Sequence, residues 1–343
     1  MMTSNTGNKD MKVIPGRPTW QQSMLRIANP EKSLAFYRDL MGMTLIDKFD
    51  FPQYKFSLYF LTTLPKGETY DLIPGTQEAH DYLWSMEGTA LELTHNHGTE
   101  VDSEDFKGYY PGNKEKDGFG HVAFNTDDVY SACEKLEEAG VTFKKKPNEG
   151  RMSGIAFAYD PDGYWVEIIK RTDTGKILNE YNFSQTMLRI KDPSKTIPFY
   201  KAMGMKLLRQ KNYGDFTNYF MASNCEATPI DDLDADEAKA QLGRMFGPVL
   251  ELTHNHGTEN DAEFRHFNGN EEGRQGFGHI GFLVDDVYTA CDAIRTMGYG
   301  FKKEPDGGSM KGLAFAYDPD GYPVEIIKRG GIDFGDVKVV KNQ

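Results

Sequence analysis

The chain has 343 residues, with 39 Lys and Arg against 52 Asp and Glu and a formal charge of −13. At about 150 residues per domain the length suggests two domains. The acidic balance, present in both halves, argues against a nucleic-acid surface, which needs a basic face. Mean hydropathy is −0.60, and no stretch approaches the roughly 18 apolar residues of a membrane helix. The polar start Met-Met-Thr-Ser lacks the apolar core of a secretory signal, so a cytoplasmic protein is expected. Cys133, Cys225 and Cys291 are odd in number and form no Cys-x-x-Cys pair, which speaks against a disulfide framework and a cysteine-based zinc knuckle.

In chain order, Trp20 to Ile27 alternates like a strand. Asn29 then caps a helix with Pro30 at its first position, Leu34, Tyr37 and Leu40 on its inner face and Gly42 as its stop. Short β-rich runs follow, including Tyr54 to Leu61 and Ala90 to Thr94. After the strand His121 to Phe124, Asp127 or Asp128 caps a second helix that turns Val129, Cys133 and Leu136 inward and ends at Gly140. The strand Ile155 to Ala158, the turn Asp160-Pro161-Asp162-Gly163 and the strand Tyr164 to Ile169 complete the pattern.

That pattern then recurs. LELTHNHGTE at Leu91 returns unchanged at Leu250. MLRI, GFGH, DDVY, AFAYDPDGY and VEIIKR also reappear in order, at an offset drifting from 163 to 158 residues. One long unit has been duplicated, far too long for a solenoid repeat. Residues 18–172 form half 1, 173–182 a linker, 183–330 half 2, and 331–343 a tail without a counterpart. Pro198 falls inside the second copy of the first helix, where it should kink the helix or delay its start. Cys133 and Cys291 occupy equivalent core positions.

Single polar residues between apolar neighbours carry the chemistry. Glu92 and Glu251 lie between leucines. Glu167 and Glu325 lie between Val and Ile. His121 and His279 follow Gly-Phe-Gly, and Gln22 and Gln185 precede a methionine by two residues. Any one of these, taken alone, reads first as the solvent face of a strand. Together they form Gln, Glu, His, Glu series spaced 70, 29 and 46 residues apart in half 1 and 66, 28 and 46 in half 2. Three oxygen donors and one nitrogen donor suit a divalent metal of borderline hardness, with positions open for an oxygen-rich substrate; Zn, Ni, Co and Mn all fit.

The segments QQSMLRIANPEKSLAFYRDLMGMTL, LELTHNHGTE, GFGHVAF and DPDGYWVEI, with their second copies, resemble the glyoxalase I family of the vicinal oxygen chelate superfamily. The resemblance implies an α+β fold of four βαβββ modules, two per half, with metal-bearing clefts between the halves. It implies crossed ligand sets: Gln22 and Glu92 with His279 and Glu325, and Gln185 and Glu251 with His121 and Glu167. Zn is the metal that it favours. The expected reaction converts the methylglyoxal–glutathione hemithioacetal into S-lactoylglutathione through a metal-stabilised enediolate. Glu325 and Glu167 would be the principal bases, and Glu92 and Glu251 would serve the opposite face.

An anionic thiol co-substrate needs local cations on an acidic protein. Arg26 and Arg189 lie four residues beyond Gln22 and Gln185 on the same strand face, roughly 13 Å along it. The family pattern adds Asn96 and Asn255, a basic residue before GFGH, and another before the GIAF or GLAF strand. Here Asp117 and Gln275 directly precede the glycine, with Lys116 and Arg274 one position earlier. Arg151 supplies the last cation in half 1; Ser309, with Lys311 nearby, replaces it in half 2, and Pro323 replaces Trp165. The two sites are therefore expected to differ. The chain resembles family members whose fused halves replace two subunits, which implies a monomer, and its charge and hydropathy leave no nucleic-acid or membrane partner expected. An extradiol-type dioxygenase of the same superfamily, which wants a histidine where Gln22 and Gln185 stand, and a non-catalytic thiol- or metal-binding module are the alternative readings.

Overall fold

The computed structural model describes residues 13–101, 106–150, 152–172, 180–223, 225–308 and 310–332. The segment 173–179 of the linker and 333–343 of the tail lie outside them. In half 1 the elements are β1 (Thr19–Ile27), α1 (Pro30–Leu34), β2 (Thr44–Phe51), β3 (Phe56–Thr62), α2 (Gln77–Leu83), β4 (Ala90–Asn96), β5 (Phe119–Thr126), α3 (Val129–Glu138), β6 (Phe143–Lys145), β7 (Ala156–Tyr159) and β8 (Trp165–Lys170). Half 2 repeats the series. Its elements are β9 (Asn182–Ile190), α4 (Pro193–Ala202), β10 (Lys206–Asn212), β11 (Phe216–Ala222), α5 (Asp236–Gly243), β12 (Val249–Asn255), β13 (Phe277–Val284), α6 (Val287–Thr296), β14 (Phe301–Lys303), β15 (Leu313–Tyr317) and β16 (Pro323–Lys328).

The strands form two eight-stranded sheets, in the orders β14-β15-β16-β13-β1-β4-β3-β2 and β10-β11-β12-β9-β5-β8-β7-β6. Each sheet joins four strands of one half to four of the other, through the antiparallel pairs β1 with β13 and β5 with β9. A shared core that includes Leu25, Tyr37, Phe124, Phe183, Tyr200, Phe277 and Tyr322 lies behind them. Its apolar burial is the main force holding the halves together.

The helix caps follow the sequence. Asn29 Oδ1 accepts from Lys32 N, and Asp128, not Asp127, caps α3. The first helix departs from expectation: after Leu34 it continues as a π-helical turn over Ala35–Leu40. Half 1 has one residue more than half 2 between Pro30 and Met41, and this turn absorbs it. Leu40, expected inside, is consequently exposed. The equivalent α4 starts at Pro193 despite Pro198, so its start is not delayed. Tyr54, expected in a strand, lies in the turn before β3.

Candidate metal centres and substrate cavity

Cross-strand register assembles each centre. Asp47, Phe60, Glu92, Met24 and His279 are successive neighbours across β2, β3, β4, β1 and β13. Gln22 pairs with Gly281, and Gly281 with Glu325. A Cβ at Gly281 would stand 2.7 Å from Gln22 Cγ, so the missing side chain leaves the amide its place. The same register in the other sheet aligns Arg209, Phe220, Glu251, Met187 and His121.

The crossed quartets come together. Gln22 Nε2 lies 2.7 Å from both Glu92 Oε2 and Glu325 Oε2, and His279 Nε2 lies 3.3 and 3.0 Å from the same oxygens. In the second centre Gln185 Nε2 lies 2.7 Å from Glu167 Oε2 and Glu251 Oε2, and His121 Nε2 lies 3.3 and 3.7 Å from them. In each trio of two carboxylates and one imidazole the ligand atoms lie within 4.8 Å of one another. All eight side chains are buried.

Two buried carboxylates facing one another require positive charge between them. Burial opposes protonation of the imidazoles, but the flanking carboxylates override it and carry His121 and His279 up to about 9. Burial raises Glu251 and Glu325 above the usual carboxylate range, against the pull of those histidines. Gln22 Oε1 and His121 Nε2 are buried with no hydrogen-bond partner. A divalent cation in each centre would neutralise its two carboxylates and take as ligands Gln22 Oε1 in the first and the imidazole of His121 in the second, so the residues present fit a metal.

A cavity of about 550 Å³ opens onto the first centre. One side is apolar, with Phe51, Phe56, Leu58, Phe60, Trp84, Leu313 and Phe315. Trp84 stands edge-on to Phe60 at 5.5 Å between centroids, with Phe49 and His80 stacked at 4.2 Å behind it. His80 pairs with the buried Asp47 carboxylate, which also accepts from Gly75 N. The other side holds Arg26, Asn96, Asn270 and Lys302.

Arg26 is engaged by its surroundings: Nη1 donates to the carbonyls of Gly276 and Phe277, and Nη2 to Asn270 Oδ1 at 2.8 Å. Arg189 repeats this with the carbonyls of Asp117 and Phe119 and with Asn113 Oδ1. Burial lowers the pKa of both arginines, and neither forms an ion pair among the described residues. Asn96 donates to Tyr109 Oη at 2.7 Å, whereas Asn255 is exposed.

The remaining sequence-predicted cations do not line this cavity. Arg274 is paired with Asp117 at 2.7 Å and lies over the Phe267 ring at 4.0 Å. Lys116 and Lys311 are exposed, and Arg151 lies outside the described residues. Sequence reasoning missed Lys302, Lys303, Asn270 and the Trp84 wall. Lys303 Nζ is committed to the carbonyls of Met310 and Leu313. Thr76, which caps α2, was the available signal for the helix that leads to Trp84.

Known proteins similar to most of this chain share its duplicated organisation. The Glyoxalase/Bleomycin resistance protein/Dioxygenase superfamily model matches residues 21–168 and again 182–326. A lactoylglutathione lyase of Schizosaccharomyces pombe is 40% identical over 90% of this chain and 95% of its own length. Glyoxalase I of Saccharomyces cerevisiae is 41% identical over 89% and 91%. A lactoylglutathione lyase of Pseudomonas putida is 47% identical over 45% of this chain and 85% of its own, one half aligned with nearly a whole protein. The crystal structure of glyoxalase I from Zea mays superposes with a TM-score of 0.62 at 28% identity, covering 91% of this chain and 92% of that one. With the superfamily model matched in both halves and relatives about 40% identical over nine-tenths of its length, the chain belongs to the glyoxalase I family of that superfamily.

Proposed function

We propose that this carbon–sulfur lyase, a lactoylglutathione lyase, isomerises the hemithioacetal of methylglyoxal and glutathione to S-lactoylglutathione at two centres, each requiring one divalent metal, with Zn as the choice. The convergence of Gln22, Glu92, His279 and Glu325 on one point, drawn from both halves, carries the reading. When bound, the metal supplies Lewis-acid stabilisation for negative charge developing on the adjacent substrate oxygens.

Glu325 takes the proton from the carbon that bears sulfur. Its burial makes it a stronger base than a carboxylate in water. The proton returns to the neighbouring carbon while the hydroxyl proton shifts between the two oxygens, so no oxidant or reductant is consumed. Glu92, held by Thr94 Oγ1 at 3.0 Å, faces the opposite side of the reacting carbons. Glu167 and Glu251 take the same parts in the second centre. Trp84, Phe60 and Leu58 exclude water around the substituent of the substrate. Arg26, Asn96 and Lys302 suit the carboxylates of glutathione; Lys302 lines the cavity near Arg26, whose charge, after burial, disfavours its own.

Each centre draws all its ligands from one chain, which supports a monomer. Among the described residues no helix is long and apolar enough to cross a membrane; three cysteines without a disulfide suit the cytoplasm. Chelation should abolish formation of the thioester from hemithioacetal by the purified protein, and Zn should restore it at two equivalents per chain. Undiminished turnover after exhaustive chelation would refute the metal requirement, and saturation at one equivalent would refute the second centre.

A further inference from the structure

The two centres share their ligands but not their surroundings. In the first, the row running outward from Glu92 is Phe60 and then Asp47, whose charge is sequestered by His80 beneath Phe49. Trp84 closes the wall, its ring packed on Gly331. In the second, the row running outward from Glu251 is Phe220 and then Arg209. The Arg209 guanidinium lies 5.8 Å from the Phe220 ring, its Nε is buried with no hydrogen-bond partner, and it has no ion pair among the described residues.

Two further differences follow the same trend. Gly243 occupies the aligned position of Trp84, packed on Thr172 where Trp84 packs on the glycines after Arg329, so the indole beside Phe60 has no counterpart beside Phe220, although Trp165 stands where Pro323 lines the first cavity. Asn218 replaces Leu58, and its amide donates to Glu251 Oε1 at 2.5 Å while Thr253 donates to its carbonyl.

We infer that the two centres divide substrates by the substituent on the carbonyl carbon. The first takes hemithioacetals with apolar, aromatic substituents, and the second takes those with a polar and above all an anionic one, with Arg209 as the residue that recognises the charge. This rests on the lyase reading above. A guanidinium without a counter-ion beside an apolar ring is a ready partner for a carboxylate or phosphate, and repels nothing that an uncharged methyl would offer. The isomerisation is the same in both centres, so no new reactant is involved.

The test uses full-length single-centre proteins, E167Q/E251Q for the first and E92Q/E325Q for the second. Each is assayed with hemithioacetals of methylglyoxal, phenylglyoxal and hydroxypyruvaldehyde phosphate. The ratio of kcat/KM for the phenyl adduct to that for the phosphate adduct should be at least tenfold higher in the first protein than in the second. R209Q in the second-centre protein should raise KM for the phosphate adduct at least fivefold, with kcat nearly unchanged. L58N in the first-centre protein, a smaller change than removing Trp84, should lower the ratio. Equal ratios in the two proteins, an inactive second-centre protein, or an unaltered KM in R209Q would overturn the inference. Wild-type protein inert toward all three adducts would instead refute the lyase reading itself.

Discussion

Polar groups inside a strand-rich core are stable only where a partner offsets the loss of water, and each buried carboxylate here has one. Glu92→Gln with Glu325→Gln should remove one of the two metal equivalents and leave the second centre turning over substrate; loss of both equivalents would show that the centres depend on one another. Away from the centres, Asp160 accepts hydrogen bonds from Tyr37, Asp162 N and Tyr164 N, yet burial, reinforced by Asp162, pushes it up to about 7. Asp318 repeats the arrangement with Tyr200 and is likewise raised by burial. A carboxyl raised from about 4 in the unfolded chain stabilises fully below that pH and loses its contribution as pH climbs through the folded value. The melting temperature of D160N/D318N relative to wild type should therefore rise between pH 5 and 8. A constant difference would contradict the shifts. The residues that meet in the two quartets were legible because each interrupts an apolar alternation, and the interruption recurs. Lys302 was not, since a Lys in Phe-Lys-Lys reads as an ordinary edge-strand cation until strand order places it beside the cavity.

At the scale of elements, the Gly-Phe-Gly-His strands do more than carry a histidine. Gly118 N donates to Phe267 O, Tyr110 N donates to Gln275 O, and the Phe119 and Phe277 rings stack at 5.1 Å, so the approach loops of the two halves interlock. A Cβ at Gly276 would stand 2.1 Å from Tyr110 O. Gly276→Ala should cost at least about 2 kcal/mol in denaturant unfolding, a large effect for one methyl group; a loss below about 0.5 kcal/mol would show that the loops part easily. The strand, cap and turn signals located most elements of both halves, because alternation and Asx caps are local properties. The π-helical turn was not visible, since a one-residue surplus says only that something must yield, and packing of Phe36 and Tyr37 decides where. The cavity wall escaped for a related reason: Trp84 follows a short helix whose destination depends on long-range packing.

For the whole molecule, crossing is the governing fact: each sheet is completed by the other half, and the core runs through both. A protease site inserted between Thr172 and Glu180, once cleaved, should leave the halves co-eluting under native conditions with most of the activity retained. Separation of the fragments without denaturant would show that the tether, not the shared core, holds them. The duplication was legible from the repeated motifs; the motifs alone leave self-pairing and cross-pairing of the halves equally open, and it was the family resemblance that implied the crossed sets, while the strand register that produces them became visible only in the fold. The single covalent chain has a genetic consequence as well. Were two identical copies to pair in this way, any altered codon would appear in both centres at once. Here Trp84 and Gly243, or Leu58 and Asn218, are written separately, so each centre can drift under its own selection while the other continues to serve.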